Sequence, residues 1–143
     1  MRCWSGRFEV NTSRRSETLD ITAEVARLIA ASGIRDGLVH IASLHTTAAI
    51  TVNEHEPRLM QDLHAWLAQI APAGHGWKHD ALARSIPSEP ENTDAHLKTM
   101  LLGRAQTLAL EGGSLLLGTW QRVILVECDG PRRRKVGVTV LGA

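Results

Sequence analysis

The sequence has no tyrosine and a single phenylalanine, Phe8. No phenol is therefore available as an acid or base, and the core has to be mainly aliphatic. Only two cysteines occur, Cys3 and Cys128, too few for a disulfide framework and without CxxC spacing, so they read as buried free thiols. No apolar run approaches the ~20 residues a membrane helix requires, and no membrane partner is expected. The first ten residues carry Arg2, Arg7 and Glu9 without an apolar stretch, so no signal peptide is read there and a cytoplasmic location is expected. Charge of one sign is lacking too. Sixteen basic and fifteen acidic residues leave a net +1, unlike the strongly cationic surface of a general nucleic-acid binder. HExxH, GxSxG, P-loop and dinucleotide fingerprints are all missing, and no nucleotide cofactor is expected.

What remains is ordinary for one soluble domain spanning residues 1–143: 43% hydrophobic and 22% charged residues. Strands are expected over Trp4–Thr12, Leu19–Thr22, Leu38–Leu44 and Ala48–Val52. His45-Thr46-Thr47 makes a tight connection between the last two. A first helix starts after Thr22 as N-cap, carries Val25, Leu28 and Ile29 at helical spacing, and ends at Gly33. A second begins at Pro57, with a stripe of Leu59, Met60, Leu63, Trp66, Leu67 and Ile70, and stops at Pro72. Ala73 to Glu91 is the longest irregular segment, a length more often functional or mobile than merely connecting. Asp94 is the expected cap of a third helix whose apolar face is Leu97, Met100 and Leu101. Strands follow over Ala105–Leu110, Ser114–Leu117, Trp120–Cys128 and Val136–Leu141, with Asp129-Gly130-Pro131 as a turn. The whole reads as α+β, a single domain with a mainly antiparallel sheet and two to three helices. So few helices cannot cover such a sheet, and subunit association is a way to bury its second face.

Seven histidines carry most of the chemical interest. Alternation puts Val39, Ile41, Ser43 and His45 on one face of a strand, with His45 at its end beside two hydroxyls. His40 reads as a structural histidine, His55 and His64 as surface or interface residues. His79 is followed by Asp80, a carboxylate able to orient an imidazole. His96 lies in the first turn of the third helix, which favours its neutral form. Arg132 and Arg134 alternate with Arg133 and Lys135 after Pro131. This run reads equally as a solvated edge or an anion site, with RNA binding well behind.

Four segments, in order and at matching spacing, resemble the YjbQ-like family, also called the secondary thiamine-phosphate synthase family. HTTAAITVNE (residues 45–54) looks like its HTTAA-(I/L)-T-(I/V)-NE signature. NTDAHLKTMLLG (92–103) is similar to N-x-x-AHLK-x-x-LLG, LLLGTWQ (115–121) to LxLGTWQ, and ECDGPRRR (127–134) to E-x-DGPRxR. The resemblance implies a strongly bent, half-barrel-like antiparallel sheet and a homotrimer with a site near a subunit boundary. It also implies a weak, secondary thiamine-phosphate synthase activity, which joins a pyrimidine-methyl diphosphate to a thiazole phosphate and releases diphosphate.

The resulting expectation is a small trimeric enzyme that binds a phosphorylated or anionic metabolite. His45, Glu54, Glu127 and Lys98 are the candidate catalytic groups. Thr46, Asn53, Trp120, Gln121, Asp129, Arg132 and Arg134 are the candidate substrate-binding set. His45, His79 and His96 are candidate ligands of a divalent metal, Zn²⁺ or Mg²⁺, since three neutral imidazoles and a water make an open metal site. The alternative is a metabolite-binding or interaction module without turnover.

Overall fold

A computed structural model describes all residues, 1–143. In chain order the elements are β1 (Arg2–Asn11), β2 (Glu17–Asp20), α1 (Thr22–Ser32), β3 (Gly37–Ser43), β4 (Ala48–Asn53), α2 (Pro57–Ile70), a 3-10 turn (His79–Ala81), α3 (Leu82–Ser85), α4 (Thr93–Leu102), β5 (Ala105–Glu111), β6 (Ser114–Leu115), β7 (Arg122–Glu127) and β8 (Arg133–Gly142). The fold is α+β, with a curled antiparallel sheet that forms a half-barrel. There are four α-helices rather than two or three, because the segment after Pro72 coils into a 3-10 turn and the one-turn α3.

Strands order as β1-β8-β3-β5-β6 in one sheet and β2-β7-β4 in the other. The first sheet buries one face only. Phe8, Val39, Ile41, Val136, Val138 and Val140 point into the main core, which Val25, Leu28 and Ile29 of α1 complete. Its other face is bare: Leu38 and Leu141 are substantially exposed, and His40 shares a hydrogen bond with Thr107 at 2.9 Å across β3 and β5. His40 is thus a surface cross-strand residue rather than one set among apolar neighbours. β7 has apolar residues at every position from Val123 to Val126, as expected for a strand buried on both faces. Val123 and Leu125 join the main core, while Ile124 and Val126 meet Met60 and Ala95 in a smaller one beneath α2 and α4. The molecule is therefore layered as bare sheet, core, inner sheet, second core and helices.

Several local expectations change. Thr22 does not cap α1; its amide and hydroxyl both donate to Asp20 Oδ1, at 3.0 and 2.6 Å. Gly33 does end that helix in the left-handed region, at φ 65°. Only Met60 and Leu67 of the α2 stripe are buried, and Leu59, Trp66 and Ile70 remain exposed because no further layer packs on them. On α4 the inward face is Asp94, Ala95, Lys98 and Thr99, whereas Met100 and Leu101 face outward. Cys128 is buried as expected, but Cys3 is exposed near the end of an edge strand.

Candidate functional site

Strand register brings the first and fourth motifs together. Ala48 at the start of β4 pairs with Glu127 at the end of β7, so the His45-Thr46-Thr47 turn lies against the Glu127-to-Arg134 turn. Cys128 N–H donates to the Thr47 carbonyl at 3.1 Å, and Leu44 N–H to that of Lys135 at 3.1 Å. The turn around Gly130 is tight. A Cβ there would lie 2.2 Å from the Arg14 carbonyl oxygen and 2.8 Å from Thr12 Oγ1, so only glycine fits. The Gly130–Pro131 peptide is cis.

Beneath the turn lies a closed polar ring. Glu127 Oε2 accepts from Thr12 Oγ1 at 2.8 Å and Arg134 Nε at 2.7 Å; Oε1 accepts from the Asp129 amide at 2.9 Å and from Arg134 Nη2. All four acceptor positions of the carboxylate are taken. Arg134 completes the ring by donating to Thr47 Oγ1 at 2.9 Å. Glu127 is 0% exposed and Arg134 2%. Burial alone would raise the Glu127 carboxyl, but Arg134 and the other donors outweigh it and hold it below the usual range. Glu127 as a base and Arg134 as an anion-binding residue are therefore both corrected: these two groups build the floor of the site. Strand alternation misleads here because β8 begins only at Arg133, leaving Arg132 in the turn.

Lys98 meets the same correction. Its Nζ lies 2.8 Å from Asp94 Oδ2, within the chain and nearly out of solvent, and Arg15 grips the same carboxylate with two bonds of 2.9 and 3.1 Å. Burial would raise the Asp94 carboxyl, yet Arg15 and Lys98 hold it low. Asp94 is thus an ion-pair centre and not a helix cap. The cap comes from Asp80, whose Oδ1 accepts the Thr93 amide at 3.0 Å and its hydroxyl at 2.7 Å. Asp80 therefore binds α4 and does not orient His79. Instead the His79 ring meets His96 edge-on, with centroids 5.0 Å apart.

Above this floor opens a cleft of about 880 Å³, lined by His45, Thr46, Asn92, His96, Asp129 and Arg132, with Glu89 from the long loop. Arg132 is aimed by Asp129: its Nε donates to the Asp129 carbonyl at 2.8 Å and its Nη2 to Oδ2 at 3.0 Å. Asn92 Nδ2 donates to that same Oδ2 at 2.8 Å. This leaves Arg132 Nη1 as the free edge of a half-exposed guanidinium. His45 Nε2 accepts the Lys135 backbone N–H at 2.7 Å, so in the neutral ring the proton sits on Nδ1. Burial, then the Arg134 charge, pushes the His45 imidazole below its ordinary value; burial, then His79, does the same to His96. Both rings are held neutral near pH 7. Burial also pushes the Cys128 thiol up to about 11, which leaves it inert.

Not every expected residue comes to this cleft. Asn53 and Glu54 lie at the far end of β4, where Asn53 pairs with Arg122. Glu54 donates its amide to Asn53 Oδ1 at 2.8 Å. Trp120, 71% exposed, and Gln121, whose Oε1 accepts the Gly118 amide at 2.7 Å, precede β7 at that same far end. Five residue steps of strand separate the two ends, about 17 Å. Nor do the three imidazoles converge as metal ligands: no group of three His, Cys, Asp or Glu side chains is placed to hold an ion. His45 already spends Nε2 on the backbone. The ligand set expected from His45, His79 and His96 does not fit the chain as folded. Asn92 and Leu44 were missed as cleft residues; the asparagine opening the AHLK segment was the available signal.

An α+β half-barrel carrying a histidine–arginine cleft is the class that fold and geometry define. The chain belongs to the YjbQ-like family, UPF0047, whose model matches residues 6–143. A UPF0047 protein of Methanothermobacter thermautotrophicus is 39% identical over 142 residues, covering 99% of this chain and 94% of that one. The Bacillus subtilis UPF0047 protein YugU is 36% identical over 136 residues, 94% of this chain and 97% of its own. Among solved structures, one from Sulfolobus solfataricus, described as a YbjQ-like protein of unknown function, superposes with a TM-score of 0.91 at 36% identity and 99% coverage of both chains. A hypothetical protein of Aeropyrum pernix gives 0.90 at 39% identity, covering 98% of this chain and 99% of the other.

Proposed function

We propose that this protein is a small homotrimeric enzyme that works on a phosphorylated or otherwise anionic metabolite in a cleft completed by a neighbouring subunit. Weak thiamine-phosphate synthase chemistry is a secondary capacity of the same cleft. One observation carries the reading: the motif residues divide between the two ends of the β4–β7 ladder. A second copy that brings its Trp120 and Gln121 end to the His45 end reunites them, and the bare face of the five-stranded sheet offers surface for such contact. In the cleft, Arg132 Nη1 takes an anionic oxygen, with Asp129 fixing the fork. His45 and His96, neutral and without tyrosine to compete, are the groups able to move a proton. Charge developing on a departing diphosphate would be met by Arg132 and Arg133 at the cleft wall. Free thiols at Cys3 and Cys128 suit a reducing compartment, the cytoplasm.

The test is subunit mixing. Arg132→Ala and Trp120→Ala proteins, each unable to bind inorganic pyrophosphate, should regain part of that binding when denatured together and refolded. Sedimentation should give three copies. No recovery, or a monomer, would defeat the shared cleft. One observation favours a binding module without turnover: Glu127 and Lys98, two of the four expected catalytic groups, are consumed by ion pairs. Bound pyrophosphate without any product from phosphorylated substrates would select that reading.

A further inference from the structure

We infer that the ligand of this cleft is amphipathic, an anionic group joined to a compact apolar body, the first held at Arg132 and the second resting on Leu44 and Met100. The inference rests on the anion-cleft reading and adds the class of molecule. A second cavity of about 560 Å³ adjoins the first and shares Leu44, His45, Thr46 and His96 with it. From that shared wall it runs over Thr99, Met100 and Gly103 to Arg104. The two lobes differ in chemistry. The first is a polar surface around Arg132 and Asp129, and the second presents the side chains of Leu44 and Met100.

Local structure explains the division. His96 and Met100 are four residues apart on α4 and so stand one above the other on the same helix face. Leu44 follows β3 on the strand face opposite to the buried Val39 and Ile41. Two elements thus deliver one apolar side chain each to the same lobe, with an imidazole from each at its border. Met100 is 77% exposed and Leu44 47%, although α4 has buried positions at Ala95 and Thr99. Apolar side chains held outward at a cavity mouth have no core to join, and they favour a ligand surface that can cover them. Both lobes lie within the size range of small-molecule sites. A purely anionic ligand would leave Leu44 and Met100 uncovered, and a purely apolar one would leave the Arg132 fork unmatched.

The test titrates the full chain with inorganic phosphate and with phenyl phosphate at one ionic strength, by calorimetry. Phenyl phosphate should bind about ten-fold tighter, the scale on which a shaped apolar contact discriminates. Met100→Ser, which lies outside the anion cleft, should remove most of that advantage while inorganic phosphate binding and solution mass stay unchanged, and Leu44→Ser should lower the ratio of phenyl phosphate to phosphate affinity. Arg132→Ala should weaken both probes. Equal affinity for the two probes in the wild type would overturn the inference while leaving the anion cleft standing. So would a serine variant that alters the solution mass but keeps the affinity ratio, which would make the lobe a subunit contact. If neither probe binds, or Arg132→Ala changes neither, the anion cleft itself fails and the amphipathic ligand with it.

Discussion

Arg134 and Glu127 form a two-pronged ion pair with neither side chain open to solvent, directly beneath the cleft. Each remaining acceptor of the carboxylate is filled by Thr12 or by the Asp129 amide. Removing one partner leaves the other charged and stranded. Glu127→Gln and Arg134→Met should each lower stability by about 3–5 kcal/mol in urea unfolding. A loss under about 1 kcal/mol would contradict a structural role.

The carboxyls of Glu127 and Asp94 are both held below their ordinary values in the folded chain. The unfolded chain therefore binds their protons first as pH falls. Their stabilisation is complete above the usual carboxylate range and is lost as pH drops through the depressed folded values. Unfolding free energy should decline on that acid limb. Asp94→Asn should flatten it, and an unchanged slope would exclude Asp94 as a contributor.

His45 and His96 titrate below the ordinary histidine value. The unfolded chain takes up their protons at higher pH than the folded one, so stability falls as pH drops below about 6.5 towards the folded values. Nitrogen-15 NMR should show both rings neutral at pH 7, with the His45 proton on Nδ1. A His45 ring protonated at Nε2 would break the assigned bond to Lys135.

Asp80→Ala removes the cap of α4 and should cost about 1 kcal/mol. It should also loosen the His79–His96 contact and move the His96 titration back towards its ordinary value. Thermal unfolding and proton NMR read the two effects separately; a stability loss with His96 unmoved would uncouple the loop from the helix.

Gly130→Ala forces a Cβ into the Arg14 carbonyl. The same Cβ would crowd Thr12 Oγ1 and Glu127 Cγ, which are bonded to each other through the Glu127 carboxylate, so the variant should fold poorly or show a clear drop in its urea midpoint. Wild-type stability would refute the steric account.

Much of the fold was legible because periodicity reports burial directly. The continuous Val-Ile-Leu-Val of β7 and the in-out alternation of β3 each match the layers they meet. α4 was not legible in this way. Its inward face holds Asp94 and Lys98, which pair with each other and with Arg15, far off in sequence, so its leucines and methionine pointed to the wrong face. The α4 cap was hidden for a similar reason, since Asp80 precedes Thr93 by 13 residues. At the cleft, the motif resemblance pointed to the segments of His45, His96 and Arg132, while Asn53, Glu54, Trp120 and Gln121 lie at the other end of the ladder. The resemblance could not separate Arg132, which faces the cleft, from Arg134, which supports it. That difference depends on where β8 begins and which carboxylate lies below.

The closed ring under the cleft divides the site by how freely it can change. Thr12, Thr47, Glu127 and Arg134 hold β1, β4, β7 and β8 to one another, and altering any of them disturbs the folding unit. Leu44, Met100 and Arg104 stand on the rim, outside that ring. If the proposed cleft binds a ligand, its preferences would change one rim residue at a time, over a floor that stays fixed while they do.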